Sequence, residues 1–278
     1  MNSKLIIITL FSLIIISCNQ HDAKFYIVRG NNNFKNECFE SALNDFTQAI
    51  SLEPKNADIY FYRYSVYFKQ NKFNQALADI NAVIGINHKY RCAFLNRGSI
   101  YYNQNKIGLA ILDYTSEIQN YPNDPEAYFG RGTAYSHQNQ FDLAIGDLTT
   151  TLKINPNDIR GYVNRGLCYM WVNKQNLALN DFNRAIKINP KDPYPYIDRG
   201  LLYDDINRNE LALQDYSIAI ELDNKNPTVY INRAKLYNKT KKKELAIKDY
   251  QNAADLGDVD GNKYLKKLYN IDYPVNKE

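Results

Sequence analysis

Between Arg91 and Asp124 the apolar and small positions fall on helical spacing. Phe94, Gly98 and Tyr101 stand at i, i+4 and i+7, one face of a helix, and Ala110, Tyr114 and Ile118 step by four along a second face. Asn105 sits where the two patterns break, in register with Asn71, Asn139, Asn173 and Asn207. Asn tolerates the left-handed backbone that ends a helix, so a tight turn is expected there. Pro122, matched by Pro54, Pro156 and Pro190, ends the second helix. No segment alternates with period two, which argues against strands. The pattern predicts an all-α chain of helix–turn–helix units.

The units repeat at a fixed step of 34 residues. Arginine keeps the step at Arg29, Arg63, Arg97, Arg131, Arg165, Arg199 and Arg233, and alanine keeps it from Ala42 to Ala246. Aspartate does so at Asp45, Asp79, Asp113, Asp147, Asp181, Asp215 and Asp249. Such a period means stacked supersecondary units that bury apolar area between neighbours, a solenoid rather than a globule. Arg and Asp recur together, sixteen residues apart. We read them as partners across each helix pair, among them Arg97 with Asp113, Arg131 with Asp147 and Arg165 with Asp181, since guanidinium–carboxylate pairs suit partial burial. The alternative is a ladder of cations for an anionic ligand.

These residues resemble the tetratricopeptide repeat, W-x2-L-G-x2-Y, then A-x3-F, then P, over about 34 residues. The third unit supplies Phe94, Arg97, Gly98, Tyr101, Ala110, Tyr114 and Pro122; the fourth supplies Tyr128, Arg131, Gly132, Tyr135, Ala144, Leu148 and Pro156. Arg stands where the pattern has Leu. The resemblance covers about residues 23–260 and implies a right-handed superhelix of seven repeats with a concave groove lined by the first helices. Carried over, the groove holds Tyr62 and Phe68, Asn96 and Tyr102, His137, then Asn164, Met170 and Trp171. Asp198, Asp204 and Asp205 follow, with Asn232 in the last repeat. Trp171 is the chain's one Trp, expected either as an interface anchor or as packing between neighbouring first helices. The Lys and Asn set with which some such domains grip C-terminal carboxylates is present only in part, at Lys69 and Asn96. The expected partners are other proteins or peptide segments.

The first residues read differently. Lys4 precedes a mostly apolar run from Leu5 to Ile16, too short to span a bilayer of ~30 Å comfortably, and it fits a signal peptide. Ile15-Ile16-Ser17-Cys18 resembles the bacterial lipobox, which implies cleavage before Cys18 and its lipidation. A plain secretory signal and an uncleaved anchor are the alternatives. The expected organisation is a leader over 1–17, the lipid-bearing Cys18 and a short tether to residue 22, repeats over 23–260, and a capping helix with a frayed tail over 261–278. A bacterial cell envelope follows, with anchorage to a membrane, the outer one favoured. The asparagines Asn31, Asn32 and Asn33 are expected to weaken the first helix.

Composition narrows the rest. With 45% apolar and 23% charged residues the chain should fold, and a net charge of +4 is too mild to argue for nucleic acid. Export implies an oxidising compartment, yet Cys38, Cys92 and Cys168 fall in separate units, too far apart to bridge. Cys168 reads as a small buried hydrophobe; a reactive thiol is the alternative for Cys38 or Cys92. A column running Lys72, Lys106, Gln140, Lys174, Arg208 and Lys242 reads as a solvated turn edge, or else as a surface for anionic lipid or sugar. His21, His88 and His137 are dispersed, and neither metal-ligand spacing nor a phosphate loop occurs. No cofactor, metal or catalysis is expected. The favoured reading is a membrane-anchored adaptor; a structural part of an envelope assembly machine and an enzyme or sugar-binding protein are the alternatives.

Overall fold

The structure is a computed structural model that describes residues 21–274. The leader and Cys18 lie outside the described residues, as do residues 275–278. The chain divides into two compact units, one ending at Pro122 and one beginning at Asn123. The first carries α1 (Ala23–Lys35), α2 (Phe39–Leu52), α3 (Ala57–Lys69), α4 (Phe73–Ile86), α5 (Ala93–Asn103) and α6 (Ile107–Asn120). The second carries α7 (Pro125–His137), α8 (Phe141–Ile154), α9 (Ile159–Trp171), α10 (Gln175–Ile188), α11 (Tyr194–Asp205), α12 (Asn209–Leu222), α13 (Pro227–Lys239), α14 (Lys243–Asp255) and α15 (Val259–Tyr269). In each unit the helices are antiparallel pairs stacked in chain order, and none of the described residues forms a strand. No helix among them is long and apolar enough to cross a membrane.

Local chemistry sets the helix ends. Asn56, Asp124 and Asn226 cap first helices by accepting from the backbone N–H two residues on, and Asp158 accepts from Gly161. Inside each pair, Asn71, Asn105, Asn139, Asn173 and Asn207 take left-handed φ values of 57 to 59°. Glu37 and Lys241 hold the same conformation in the first and last repeats, at 59° and 60°.

Packing within a repeat rests on one exchange of size. Gly200 lies against Tyr216, so close that a Cβ there would stand 2.7 Å from the ring, and Gly166 meets Phe182 at the same 2.7 Å. Where Tyr64 replaces the glycine, the facing residue is the smaller Ile80, and both are buried.

The arginine and aspartate columns pair in every repeat. Arg131 donates from Nε and Nη2 to the two oxygens of Asp147 at 2.7 and 2.9 Å, and Arg97 and Arg165 hold Asp113 and Asp181 in the same fork. All seven aspartates are buried. Tyrosine rings flank most of the guanidiniums: Arg165 lies 5.8 Å from Tyr162 and 5.7 Å from Tyr169, and Arg199 is set likewise between Tyr196 and Tyr203. Much of the chain's tyrosine content thus serves the arginine column. The remaining Nη1 reaches back to the preceding repeat, from Arg63 to Thr47, Arg199 to Asn183 and Arg233 to Ser217. The pair therefore ties helices within a repeat and also ties consecutive repeats.

At the first end, Asn31, Asn32 and Asn33 all lie within the unbroken α1, and Asn33 Nδ2 donates to Asp45 Oδ2 at 2.9 Å. At the other end the expectation is corrected, since the chain does not fray directly after the cap. Helix α15 begins at Val259, capped by Asp258, and Ile271 and Tyr273 fold back on the core of the last repeat, where Tyr273 donates to Asp255 at 3.1 Å.

Candidate functional site

The arginine column is taken up by the aspartates it pairs with, and the expected ligand face is the other side of the first helices. In the second unit these helices lie side by side. Lys239 of α13 donates to Asp204 of α11 at 2.7 Å, and Cys168 of α9 donates to Ser136 of α7 at 3.5 Å.

In the first unit the expected groove aromatics Tyr62 and Phe68 are half-buried and pack against the core. Tyr62 lies 5.7 Å from Phe46, ring to ring, and Phe68 sits between Tyr64 at 5.7 Å and Phe73 at 5.9 Å. Asn96 and Tyr102 are half-buried. A cleft of about 700 Å³ opens instead at the turns, lined by Pro54, Asn56, Ile86, Asn87 and Tyr90, with Tyr90 donating to Asp58 at 2.8 Å. It lies where the third repeat begins without the proline that marks other turns.

The second unit keeps more of the face open. Trp171 is 73% exposed and stacks on Phe141, the first residue of the preceding repeat's second helix, with centroids 5.6 Å apart and planes within 3°. Its partner is thus a second helix, not a neighbouring first one. Met170 packs beside Phe182 and Leu202. Asn164 donates to the carbonyl of Arg160 in its own helix at 2.9 Å. His137 and Asp205 are exposed, and Asn232 is half-buried. The thiols differ in exposure: Cys38 exposed, Cys92 intermediate and Cys168 buried, the last with its pKa raised by that burial.

Asp198 stands apart. It is half-buried, accepts no hydrogen bond from any described residue, and is pushed up to about 7 by burial, with the Asp192 carboxylate adding to the effect. Beside it lies Tyr216, which sequence reading did not single out. Its ring is fully buried against Gly200 and its hydroxyl has no partner. Burial raises the hydroxyl pKa, and Asp204, Asp215 and Asp198 raise it further. The corresponding tyrosine of the third repeat, Tyr114, donates to Ser99 at 3.4 Å. In the sixth repeat that position is Leu201. The signal was available in the sequence, but only to a comparison of two columns at once.

Three segments match the tetratricopeptide repeat family, at residues 125–158, 159–192 and 227–256, all in the second unit. The fold is similar to a tetratricopeptide repeat protein from Parabacteroides merdae, at 21% identity over 89% of this chain and 97% of that one, with a TM-score of 0.71. It is also similar to the C-terminal part of a repeat-containing protein from Cytophaga hutchinsonii, at 20% identity over 85% and 98%, TM-score 0.65. YrrB, described as a TPR protein with an unusual peptide-binding site, is 19% identical over 68% and 98%, TM-score 0.52. At these identities the likeness is one of fold. No curated protein sequence matches.

Proposed function

This chain is a tetratricopeptide-repeat protein, and from that premise we propose that it is a non-enzymatic scaffold. It binds a peptide segment of another protein on the first-helix face of its second unit, and a lipid on Cys18 anchors it in a bacterial envelope membrane. Repeat arrays of this kind present extended surfaces to partners, and one similar fold is described as peptide-binding. Trp171 carries the reading. A large ring left 73% exposed, yet held flat on Phe141, is a rigid apolar platform. Aromatic anchors of that kind dominate interface energetics because little conformational freedom is lost on binding. For the anchor the support is the Lys4-led apolar run ending at Ser17-Cys18.

Selection of a displayed random-peptide library against the protein tests the platform. Trp171 is the sole Trp, so its emission reports binding without a label. Selected peptides should shift that emission saturably, and Trp171→Ala should weaken their binding, read by anisotropy of a labelled peptide, by about tenfold or more. Failure to select any peptide, or equal binding by the variant, overturns the platform. Incorporation of radioactive palmitate into wild type and not into Cys18→Ala tests the anchor separately; an unlabelled wild type rejects it.

A further inference from the structure

Helix α1 has no second helix before it among the described residues, and its outer face shows the consequence. Four residues before the arginine, the later repeats carry Ile59, Ala93, Ala127, Gly161, Pro195 and Val229, all buried, whereas the first carries Phe25, only half-buried. One residue before the arginine, Val28 is 53% exposed, while its counterparts from Tyr62 to Asn232 are all half-buried. Arg29 completes the series. Its fork holds Asp45 as elsewhere. Its Nη1, which Arg63, Arg165 and Arg233 send back to the preceding repeat, has no acceptor among the described residues. The Arg29 side chain is 47% exposed, against 16–20% for the six later arginines.

These groups meet in one shallow hollow of about 500 Å³, lined by Asp22, Lys24, Phe25, Val28, Arg29 and Asn32. Asp22 is occupied at the helix start, where it accepts from the Phe25 N–H at 2.8 Å. His21 covers one side of the Phe25 ring at 3.5 Å. Lys24 is exposed and has no ion-pair partner among the described residues. Asn32 argues against another helix as the missing cover. Three residues after the arginine, Val66, Cys168, Leu202 and Leu236 are buried on the core of the preceding repeat. A helix docked on α1 would bury an amide where the array buries hydrocarbon, at a cost in desolvation. Two spare cationic groups around a small apolar patch instead match the headgroup layer of a bilayer, which offers phosphate oxygens beside acyl chains.

The chain places an anchor at the same end. Cys18 stands four residues before Asp22, at most ~14 Å of fully extended chain. We infer that the outer face of α1 rests on the bilayer in which Cys18 is anchored, with Phe25 and Val28 at the acyl boundary and Arg29 Nη1 and Lys24 on lipid phosphates. The inference rests on the anchor proposed above and gives it a docked surface: the membrane stands where a preceding repeat would. A tether this short keeps the face at high local concentration beside the lipid, so a contact weak on its own is enough.

The test uses the full chain, produced in bacteria and reconstituted into phosphatidylcholine vesicles with or without phosphatidylglycerol. Trp171→Phe removes the native emission, and Val28→Trp or Leu112→Trp places a reporter on α1 or on α6, where Leu112 is 65% exposed. Acyl-brominated lipid should quench the α1 reporter severalfold more than the α6 reporter, and more strongly when phosphatidylglycerol is present. Lys24→Gln should lower the docked-to-undocked ratio about fivefold, and added salt should lower it too. Equal quenching of the two reporters overturns the inference, as does quenching indifferent both to lipid charge and to Lys24→Gln. An α1 reporter that is blue-shifted yet unquenched also overturns it, since a second copy or the residues before His21 then cover the face. If the protein floats with the vesicles but both reporters are quenched alike, the anchor stands and this inference falls. If palmitate labelling fails at Cys18 while the α1 reporter is still selectively quenched, the anchor reading falls and the docked face stands.

Discussion

Asp198→Asn should stabilise the protein at alkaline pH, an unusual outcome for a substitution at a half-buried polar site. Burial raises the folded-state pKa of Asp198 from its ordinary 3.8 to about 7. The folded protein therefore holds this proton more tightly than the unfolded chain does. A group shifted upward in this way costs stability in full above pH 7, and the cost fades as pH falls toward 3.8, because protonation restores a neutral carboxyl in both states. A shift of about three pKa units corresponds to about 4 kcal/mol, of which about 3 kcal/mol develops between pH 5 and pH 8.5. Asn keeps the shape and lacks the charge. Urea unfolding of wild type and variant at pH 5 and pH 8.5, followed by circular dichroism, measures the double difference, and titrations elsewhere in the chain cancel. The gain of the variant over wild type should be larger at pH 8.5 than at pH 5 by about 3 kcal/mol. An equal gap at the two pH values would falsify the claim that burial of an unpartnered carboxyl sets this titration.

Three further outcomes follow from the packing. Arg131→Ala removes both bonds to Asp147 and leaves a buried carboxylate uncompensated, a loss of ~3–5 kcal/mol; a circular-dichroism melt unchanged from wild type contradicts it. Gly166→Ala drives a methyl to 2.7 Å from the Phe182 ring and should cost about 1–3 kcal/mol. Phe182→Leu added to that variant should return part of the loss, so strictly additive effects in denaturant would tell against the contact. Asn173→Val places a β-branched residue at φ 59° and should cost about 1–2 kcal/mol, whereas Asn173→Gly should leave the thermal midpoint close to wild type.

The repeat length, the helix pairs, the Asn turns and the Arg–Asp partnership are all legible in the chain because each is local and repeated. A contact between residues sixteen apart, copied every 34, announces itself as two columns in register. The reach of Arg63, Arg199 and Arg233 back to Thr47, Asn183 and Ser217 was equally periodic, but small hydrogen-bonding residues are too common for the column to stand out. The ends were harder, since Asn33 and Tyr273 are held by single contacts that no period repeats.

The face that would meet a partner shows the division most sharply. Sequence spacing put Tyr62, Phe68, Met170 and Trp171 on one helical surface. Only the packed neighbours decided that the first three lie half-buried against the core while Trp171 stays open on Phe141. Likewise the sequence supplied an aspartate at position 198 and a tyrosine at 216, and the tertiary structure withheld a partner from each. Periodicity fixes which residues share a face. Desolvation and hydrogen-bond satisfaction depend on what the adjoining repeat places beside them, and that is a property of the assembled array.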